Sequence, residues 1–216
     1  DALVLDVDGT VATCPIDFGA MRAAVKRVAE KWGFDTGKLR AAGVLEQVAM
    51  IAAELKEKGA GFRQEAERVI VAIEAQAAEA AQLVSGAPEA LEDLRERGFA
   101  IALITRNCRA AAEVVLRHLR AYDVLLTRDD VPRPKPDPDH VHRSLVAIGR
   151  TSNRTAMVGD HPYDMRAGRA AGLCLCIGVR TGHSPDVSLL DAGADVVVDS
   201  IADLPSWLRE RGKGHR

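Results

Sequence analysis

Asp6 and Asp8 stand two residues apart, after the apolar run Ala2-Leu3-Val4-Leu5 and just before Gly9. The run reads as a buried strand. Acids at the end of such a strand are costly unless they are paired or bind a metal. Their spacing suits an enzyme that uses one carboxylate as nucleophile and the second as acid and base. Three further segments carry matching chemistry: Thr105-Arg106-Asn107, Lys135, and Gly159-Asp160 with Asp164 one turn later. Together they fit phosphoryl transfer to a carboxylate. Clustered aspartates need a cation to stay ionised, and hard oxygen ligands beside a phosphate select Mg²⁺. Lys135 adds a fixed positive charge, the Thr105 hydroxyl and nearby N–H groups hold phosphate oxygens, and Gly9 allows the turn that brings backbone N–H groups close.

The elements that must position these residues follow from periodicity. From residue 88 onward the pattern alternates helix and strand. Helices are predicted over 88–97, 109–120, 139–148, 164–171 and 201–211, and strands over 99–105, 124–127, 155–158, 173–179 and 196–198. This predicts an α/β fold, a doubly wound, Rossmann-like parallel sheet covered by helices. In such sheets ligands bind outside the carboxyl ends of the strands, where the acids, Thr105 and the loop holding Lys135 all fall. The stretch from Pro132 to Pro138 has proline at every second position and predicts a stiff, extended loop presenting Lys135.

Residues 14–83 show no strand pattern. Phe18, Met21, Val25, Val28 and Trp32 recur at helical steps, as do Val44, Val48, Ile51 and Leu55, and Phe62, Ala66, Val69 and Ile73. Three amphipathic helices are predicted, with breaks at Gly33–Gly37 and Gly59–Gly61. The block is an insertion, a small helical domain splitting an α/β core of 1–13 and 84–216.

A formal net charge of -2 argues against a nucleic-acid or membrane-surface partner, and 4% aromatic residues against stacking platforms for single strands. No apolar run reaches transmembrane length, and Cys14, Cys108, Cys174 and Cys176 lack metal-site spacing; no signal peptide is expected before Asp6. A reducing cytoplasm is the expectation. Cys174 and Cys176 are expected to pack within a strand. His118, His140 and His142 are expected at a solvated surface; His161 and Tyr163 either touch substrate or are loop residues without a role, and no site role is assigned to His183.

The four segments resemble the motifs of the haloacid dehalogenase-like superfamily. Asp6-Val7-Asp8-Gly9-Thr10 matches the first, Thr105 the second, Lys135 the third and Gly159-Asp160 with Asp164 the fourth. The helical insertion is similar to the cap of phosphoglycolate-phosphatase-like members. The resemblance implies a phosphatase in which Asp6 forms an aspartyl-phosphate and Asp8 protonates the leaving group, then activates water. It implies Mg²⁺ on Asp6, Asp160 and the backbone carbonyl of Asp8. Asp164 would hold a metal-bound water or orient Lys135, and Thr105 and Lys135 would bind the phosphoryl group. Arg106 and Asn107 are further candidates for that site. The cap would close over the crevice, hinged near 13–17 and 82–87, and its cations Arg22, Arg40 and Arg63 would either meet an anionic substrate or stay solvated. The substrate class implied is a small phosphorylated metabolite, such as a hydroxy acid or sugar phosphate.

Two alternatives share these residues. A phosphosugar mutase would keep every motif. A receiver-like signalling module also gathers aspartates, a threonine and a lysine at strand ends, but it lacks the second acid of the Asp6/Asp8 pair and the helical insertion. Asp8 disfavours dehalogenase and phosphonate-cleaving chemistry, which does not protonate a phosphoester leaving group.

Overall fold

The computed structural model describes residues 1–39 and 43–213. The chain divides into two compact units, Asp1–Cys14 with the chain from Ala81 onward, and Pro15–Ala80 between them.

The larger unit is built on a six-stranded parallel sheet. In chain order the first unit's elements are β1 (Ala2–Asp6) and β2 (Ala12–Thr13); the helical unit follows with α1 (Phe18–Lys31), α2 (Val44–Glu54) and α3 (Gly59–Glu79). The chain returns through β3 (Gln82–Leu83), α4 (Ala87–Glu96), β4 (Ala100–Ile104), α5 (Arg109–Val115) and β5 (Val124–Leu126). It continues through α6 (Asp139–Ala147), β6 (Thr155–Gly159), α7 (Pro162–Ala170), β7 (Leu175–Val179), α8 (Asp186–Asp191), β8 (Val196–Val198) and α9 (Leu204–Lys213). The strand order is β5-β4-β1-β6-β7-β8. From β1 the chain first builds outward through β4 and β5, then crosses back to β6 on the other side of β1. That reversal is the topological switch point where a crevice opens at the strand ends.

β1 lies at this point and all five of its residues are buried. Val4, Ala102, Ile104 and Met157 face one side, where Val141 and Leu145 of α6, Met165 and Ala167 of α7 and Leu189 of α8 pack on them. Leu3, Leu5, Ile101 and Leu103 alternate to the opposite face and are equally buried. Burial on both faces is why these strands read as continuous apolar runs.

Several elements differ from the sequence expectation. Gln82–Leu83 pairs antiparallel with Ala12–Thr13, a strand inside a block read as strandless; two residues are too few to display a period. The helix at Arg109 ends at Val115 rather than Arg120, because buried Leu116 and Leu119 continue the apolar pattern through turns. The short helix α8 follows Pro185, with only Leu189 buried on it, so it offers no amphipathic stripe. The Pro132–Pro138 stretch is not extended: Asp137 N–H donates to the Pro134 carbonyl at 3.2 Å and closes a turn, and the Lys135–Pro136 peptide is cis.

In the helical unit, α1 is N-capped by Asp17, whose side chain accepts from Ala20 N–H at 2.8 Å. Met21, Val25 and Val28 of α1 and Val44, Val48 and Ile51 of α2 are buried as expected, but Phe18 is exposed. On α3 the buried face runs Phe62, Ala66, Ile70 and Glu74, so Val69 and Ile73 fall at its edge. Gly59–Gly61 is not a break. The chain turns earlier, at Lys56–Lys58, and both glycines lie in the first turn of α3. They serve close approach: a Cβ on Gly59 would stand 2.0 Å from the Ala52 carbonyl oxygen, and one on Gly61 2.3 Å from the Trp32 ring. Glu65 accepts from Trp32 Nε1 at 2.9 Å and from Lys31 Nζ at 2.7 Å, fixing that ring. Arg22 and Arg63 are exposed, and Arg40 lies outside the described residues. No described helix is long and apolar enough to cross a membrane.

Candidate active site

β1 ends on Asp6, in register with Ile104 of β4. The chain then turns tightly. The Val7 carbonyl accepts from Thr10, Val11 and Ala12 N–H, and Gly9 N–H donates to the Ala12 carbonyl at 2.7 Å. Gly9 has φ +86°, the left-handed region, and a Cβ there would lie 2.5 Å from the Asp160 carboxyl. Glycine at this position therefore serves both the turn and the approach of Asp160. Asp8, two residues past Asp6, is only partly buried, and its Oδ1 accepts from Cys14 N–H at 2.9 Å.

The β6 end brings in the other acids. Asp160 follows the last residue of β6, and Asp164 is in the first turn of α7. Carboxylate oxygens of Asp6, Asp160 and Asp164 all lie within 4.8 Å of one another, and all three residues are buried. Lys135 Nζ joins them. It donates to Asp6 Oδ1 in a very short contact, to Asp164 Oδ1 at 2.6 Å and to the Ile104 carbonyl at 3.4 Å. The second oxygen of Asp164 accepts from His161 N–H at 3.0 Å, closing a capping box at the start of α7. Asp164 thus caps α7 with one oxygen and contacts the Lys135 ammonium with the other.

Charge explains the protonation tendencies. Three carboxylates against one ammonium leave the cluster doubly negative when ionised. Burial raises Asp6 well above the ordinary carboxylate range despite Lys135 beside it. Burial, then the neighbouring Asp164, pushes Asp160 up to about 7. Burial pulls Lys135 down, but Asp164 and Asp6 outweigh it and hold the ammonium above its usual value. A set of buried, hard oxygen donors that is two charges short of neutral fits a divalent cation of the Mg²⁺ type. The Asp8 carboxylate is not in this cluster; the expectation for it rested on its backbone carbonyl.

The phosphate-side candidates separate into two groups. Thr105 is buried just beyond β4; its N–H donates to the Leu126 carbonyl at 3.0 Å, and its Oγ1 accepts from Asn107 N–H at 3.1 Å. Arg106 is engaged inward: Nη1 donates to the Lys135 carbonyl at 2.8 Å, and its guanidinium lies 4.7 Å over the Tyr163 ring. His161 meets that ring edge-on at 4.6 Å and its Nδ1 accepts from Tyr163 N–H at 3.1 Å, so both have structural work beyond a loop.

Several residues escaped the sequence reading. Thr181, just past β7, donates through Oγ1 to the Gly9 carbonyl at 2.6 Å. A Cβ on Gly182 would fall 1.8 Å from Asp160 Oδ2. The available signal was a Thr-Gly pair at the carboxyl end of a further parallel strand. Thr10 is fully buried, and its Oγ1 has no hydrogen-bond partner. His140, expected at the surface, is completely buried beside Lys135, because α6 turns that face of its first turn inward; His118 and His142 are exposed. His183 is exposed too. Cys176 is buried in β7, whereas Cys174 precedes the strand and is exposed. No disulfide joins the four cysteines.

A family model described as haloacid dehalogenase-like hydrolase matches residues 1–172. The chain is 33% identical over 126 residues to a plasmid-borne phosphoglycolate phosphatase of Cupriavidus necator, covering 57% of this chain and 54% of that protein. It is 32% identical over 128 residues to a validoxylamine A 7'-phosphate phosphatase of Streptomyces hygroscopicus subsp. limoneus, covering 58% of each. The chain spans about half the length of the curated relatives it matches. Among solved structures, a hydrolase from Pseudomonas syringae superposes with a TM-score of 0.73 at 21% identity, covering 97% of this chain and 98% of that one.

Proposed function

The chain belongs to the haloacid dehalogenase-like hydrolases, and from that premise we propose that it is a Mg²⁺-dependent phosphatase of a small phosphorylated metabolite. The substrate class is a phosphorylated hydroxy acid or sugar, supported by likeness to a phosphoglycolate phosphatase and to a validoxylamine A 7'-phosphate phosphatase. The single observation that carries the reading is the convergence of Asp6, Asp160, Asp164 and Lys135 at the carboxyl end of the central strand.

Asp6 is the nucleophile. Its carboxylate oxygen bonds to phosphorus as the ester oxygen leaves, and Asp8 gives that oxygen its proton. Asp8, now a carboxylate, takes a proton from water, whose oxygen attacks phosphorus, releases phosphate and returns Asp6. Asp8 is partly exposed where Asp6 is buried, which leaves its carboxyl accessible to the leaving group and then to water. Lys135 and Thr105 hold the non-bridging oxygens, and Asp164 keeps the Lys135 ammonium in place. Asp6, Asp160 and the Asp8 carbonyl would hold the cation, which when bound offsets the charge that builds on the transferring group. Gly9 and Gly182 leave the space that Asp160 occupies.

The test is phosphate release from a panel of phosphorylated hydroxy acids and sugars, with Mg²⁺ and with a chelator. Turnover that depends on the metal and vanishes in Asp6→Asn is expected. Full activity of Asp6→Asn, or indifference to chelation, overturns the reading, and isomerised product without phosphate release identifies a mutase instead.

A further inference from the structure

We propose that His140 is a positioning residue for Lys135: its imidazole ties the Lys135 backbone N–H to the Leu126 carbonyl, which also receives the Thr105 N–H, so one carbonyl sets both phosphate-side residues in register. His140 sits in the first turn of α6 and is completely buried. Nδ1 accepts from Lys135 N–H at 3.4 Å, and Nε2 lies 3.1 Å from the Leu126 carbonyl. Thr105 N–H reaches the same carbonyl at 3.0 Å. Only a neutral ring with its proton on Nε2 satisfies both contacts, since the backbone N–H must meet a lone pair and the carbonyl must meet a proton. Burial, followed by the Lys135 charge, keeps the ring in that state by lowering its pKa to about 4.

The residue types around Lys135 make this contact consequential. Pro134 and Pro136 have no N–H, so across 134–136 Lys135 carries the only backbone donor. The other side of the residue is held by Arg106, whose Nη1 donates to the Lys135 carbonyl at 2.8 Å while the guanidinium stacks on Tyr163. Both peptide groups of Lys135 are therefore fixed by side chains from two different elements, and the ammonium at the end of its stem is fixed in turn between Asp6 and Asp164. An apolar side chain at 140 would fill the space, as Val141 and Leu145 do nearby, but would leave the Lys135 N–H without its acceptor. A displacement of about 1 Å at a charged group over a transition state costs about 100-fold in rate.

The inference rests on the reading of Lys135 as part of the phosphoryl site. The test compares His140→Leu, His140→Asn and Lys135→Ala, with the double variant His140→Leu/Lys135→Ala, using p-nitrophenyl phosphate and Mg²⁺. His140→Leu is expected to lower kcat by about 10- to 100-fold with KM nearly unchanged. His140→Asn, whose amide oxygen replaces Nδ1, is expected to recover most of that loss. In the Lys135→Ala background His140→Leu is expected to do nothing more. Amide exchange supplies a readout free of substrate: His140→Leu should speed exchange at Lys135, in the loop before α6, while α6 itself keeps its protection. Additive losses in the double variant, or exchange that rises across all of α6, overturn the positioning role and leave Lys135 untouched. Full activity of Lys135→Ala overturns instead the reading of Lys135 on which the inference stands.

Discussion

Lys135 Nζ and Asp164 Oδ1 lie 2.6 Å apart, and both side chains are 2% exposed. The other oxygen of Asp164 caps the helix that follows Asp160. One carboxylate thus ties the acidic segment after β6 to the lysine loop, two segments separated by a helix and a strand in sequence. A buried ion pair of this kind contributes little net stability, because desolvation offsets the attraction. Its value here is placement: it holds the Lys135 ammonium beside Asp6, and in the proposed reaction leaves Asp160 for the metal.

Asp8 carries the proton in the proposed reaction, so its loss should depend on the leaving group. Asp8→Asn keeps an oxygen for the Cys14 N–H but cannot exchange a proton. We expect kcat to fall by roughly 100- to 10,000-fold on an alkyl phosphate. The fall should be much smaller when the first step is followed with p-nitrophenyl phosphate, whose leaving group needs no proton. Burst and steady-state kinetics on the two substrates check this. Equal losses on both, or a change confined to KM, contradict the acid/base role.

Asp160 is crowded by two backbone segments that must be glycine. A Cβ at Gly182 would lie 1.8 Å from its Oδ2. Gly182→Ala should therefore displace the carboxylate or the loop, weakening Mg²⁺ binding at least tenfold while leaving the far sheet edge intact. Calorimetric titration of Mg²⁺ into the variant, alongside circular dichroism, checks it. Unchanged affinity would remove Gly182 from the site.

The acids, Thr105 and Lys135 were legible because each follows an apolar strand, and parallel strands deliver their carboxyl ends to one edge. Asp6 and Asp160 needed no knowledge of side-chain packing to be placed there. His140 and Gly182 were illegible for the opposite reason. His140 has a polar type on a helix whose inward face cannot be deduced from Val141 and Leu145 alone, and Gly182 matters only through the distance to a carboxylate 22 positions earlier. Arg106 was only a candidate for the phosphate side, from its place beside Thr105. Its contacts with the Lys135 carbonyl and Tyr163 depend on loop geometry that no local pattern encodes. The Gly59–Gly61 misreading has the same root: glycine signals a break or a close approach alike, and only the neighbouring helix decides which.

That ambiguity gives a prediction whose sign propensity alone would reverse. Alanine is favoured over glycine inside a helix by about 1 kcal/mol. At Gly59 the added methyl would meet the Ala52 carbonyl oxygen at 2.0 Å, a backbone atom that cannot swing away. Gly59→Ala should destabilise the helical unit by about 1–3 kcal/mol. Urea unfolding followed by tryptophan fluorescence of Trp32, which packs in that unit, reads the change. A stabilised variant would show that the interhelical contact is looser than it stands.

Metal binding should be linked to pH through the buried acids. Asp160 is raised to about 7 by burial and Asp164, and Asp6 is raised as well. Without metal these groups bind protons more tightly folded than unfolded. Their contribution to stability is therefore greatest at acid pH and falls as pH rises from the ordinary carboxylate value through about 7. His140 acts in the opposite sense. Its folded pKa, near 4, lies below the ordinary value, so its contribution is full above about 6.5 and is lost as pH falls toward 4. The metal-free melting temperature mixes the two trends, but the increment produced by Mg²⁺ isolates the acids, because the cation must displace their protons while His140 lies outside the acid cluster. Below pH 7, each pH unit should weaken Mg²⁺ binding by about tenfold for each proton released. We expect the Mg²⁺-induced rise in melting temperature to be large at pH 8, to shrink through pH 7 and to be small at pH 6. Asp160→Asn should abolish the increment throughout. An increment of equal size from pH 6 to pH 8 would show that the carboxylates bind the cation without giving up protons, and that the buried cluster is already ionised.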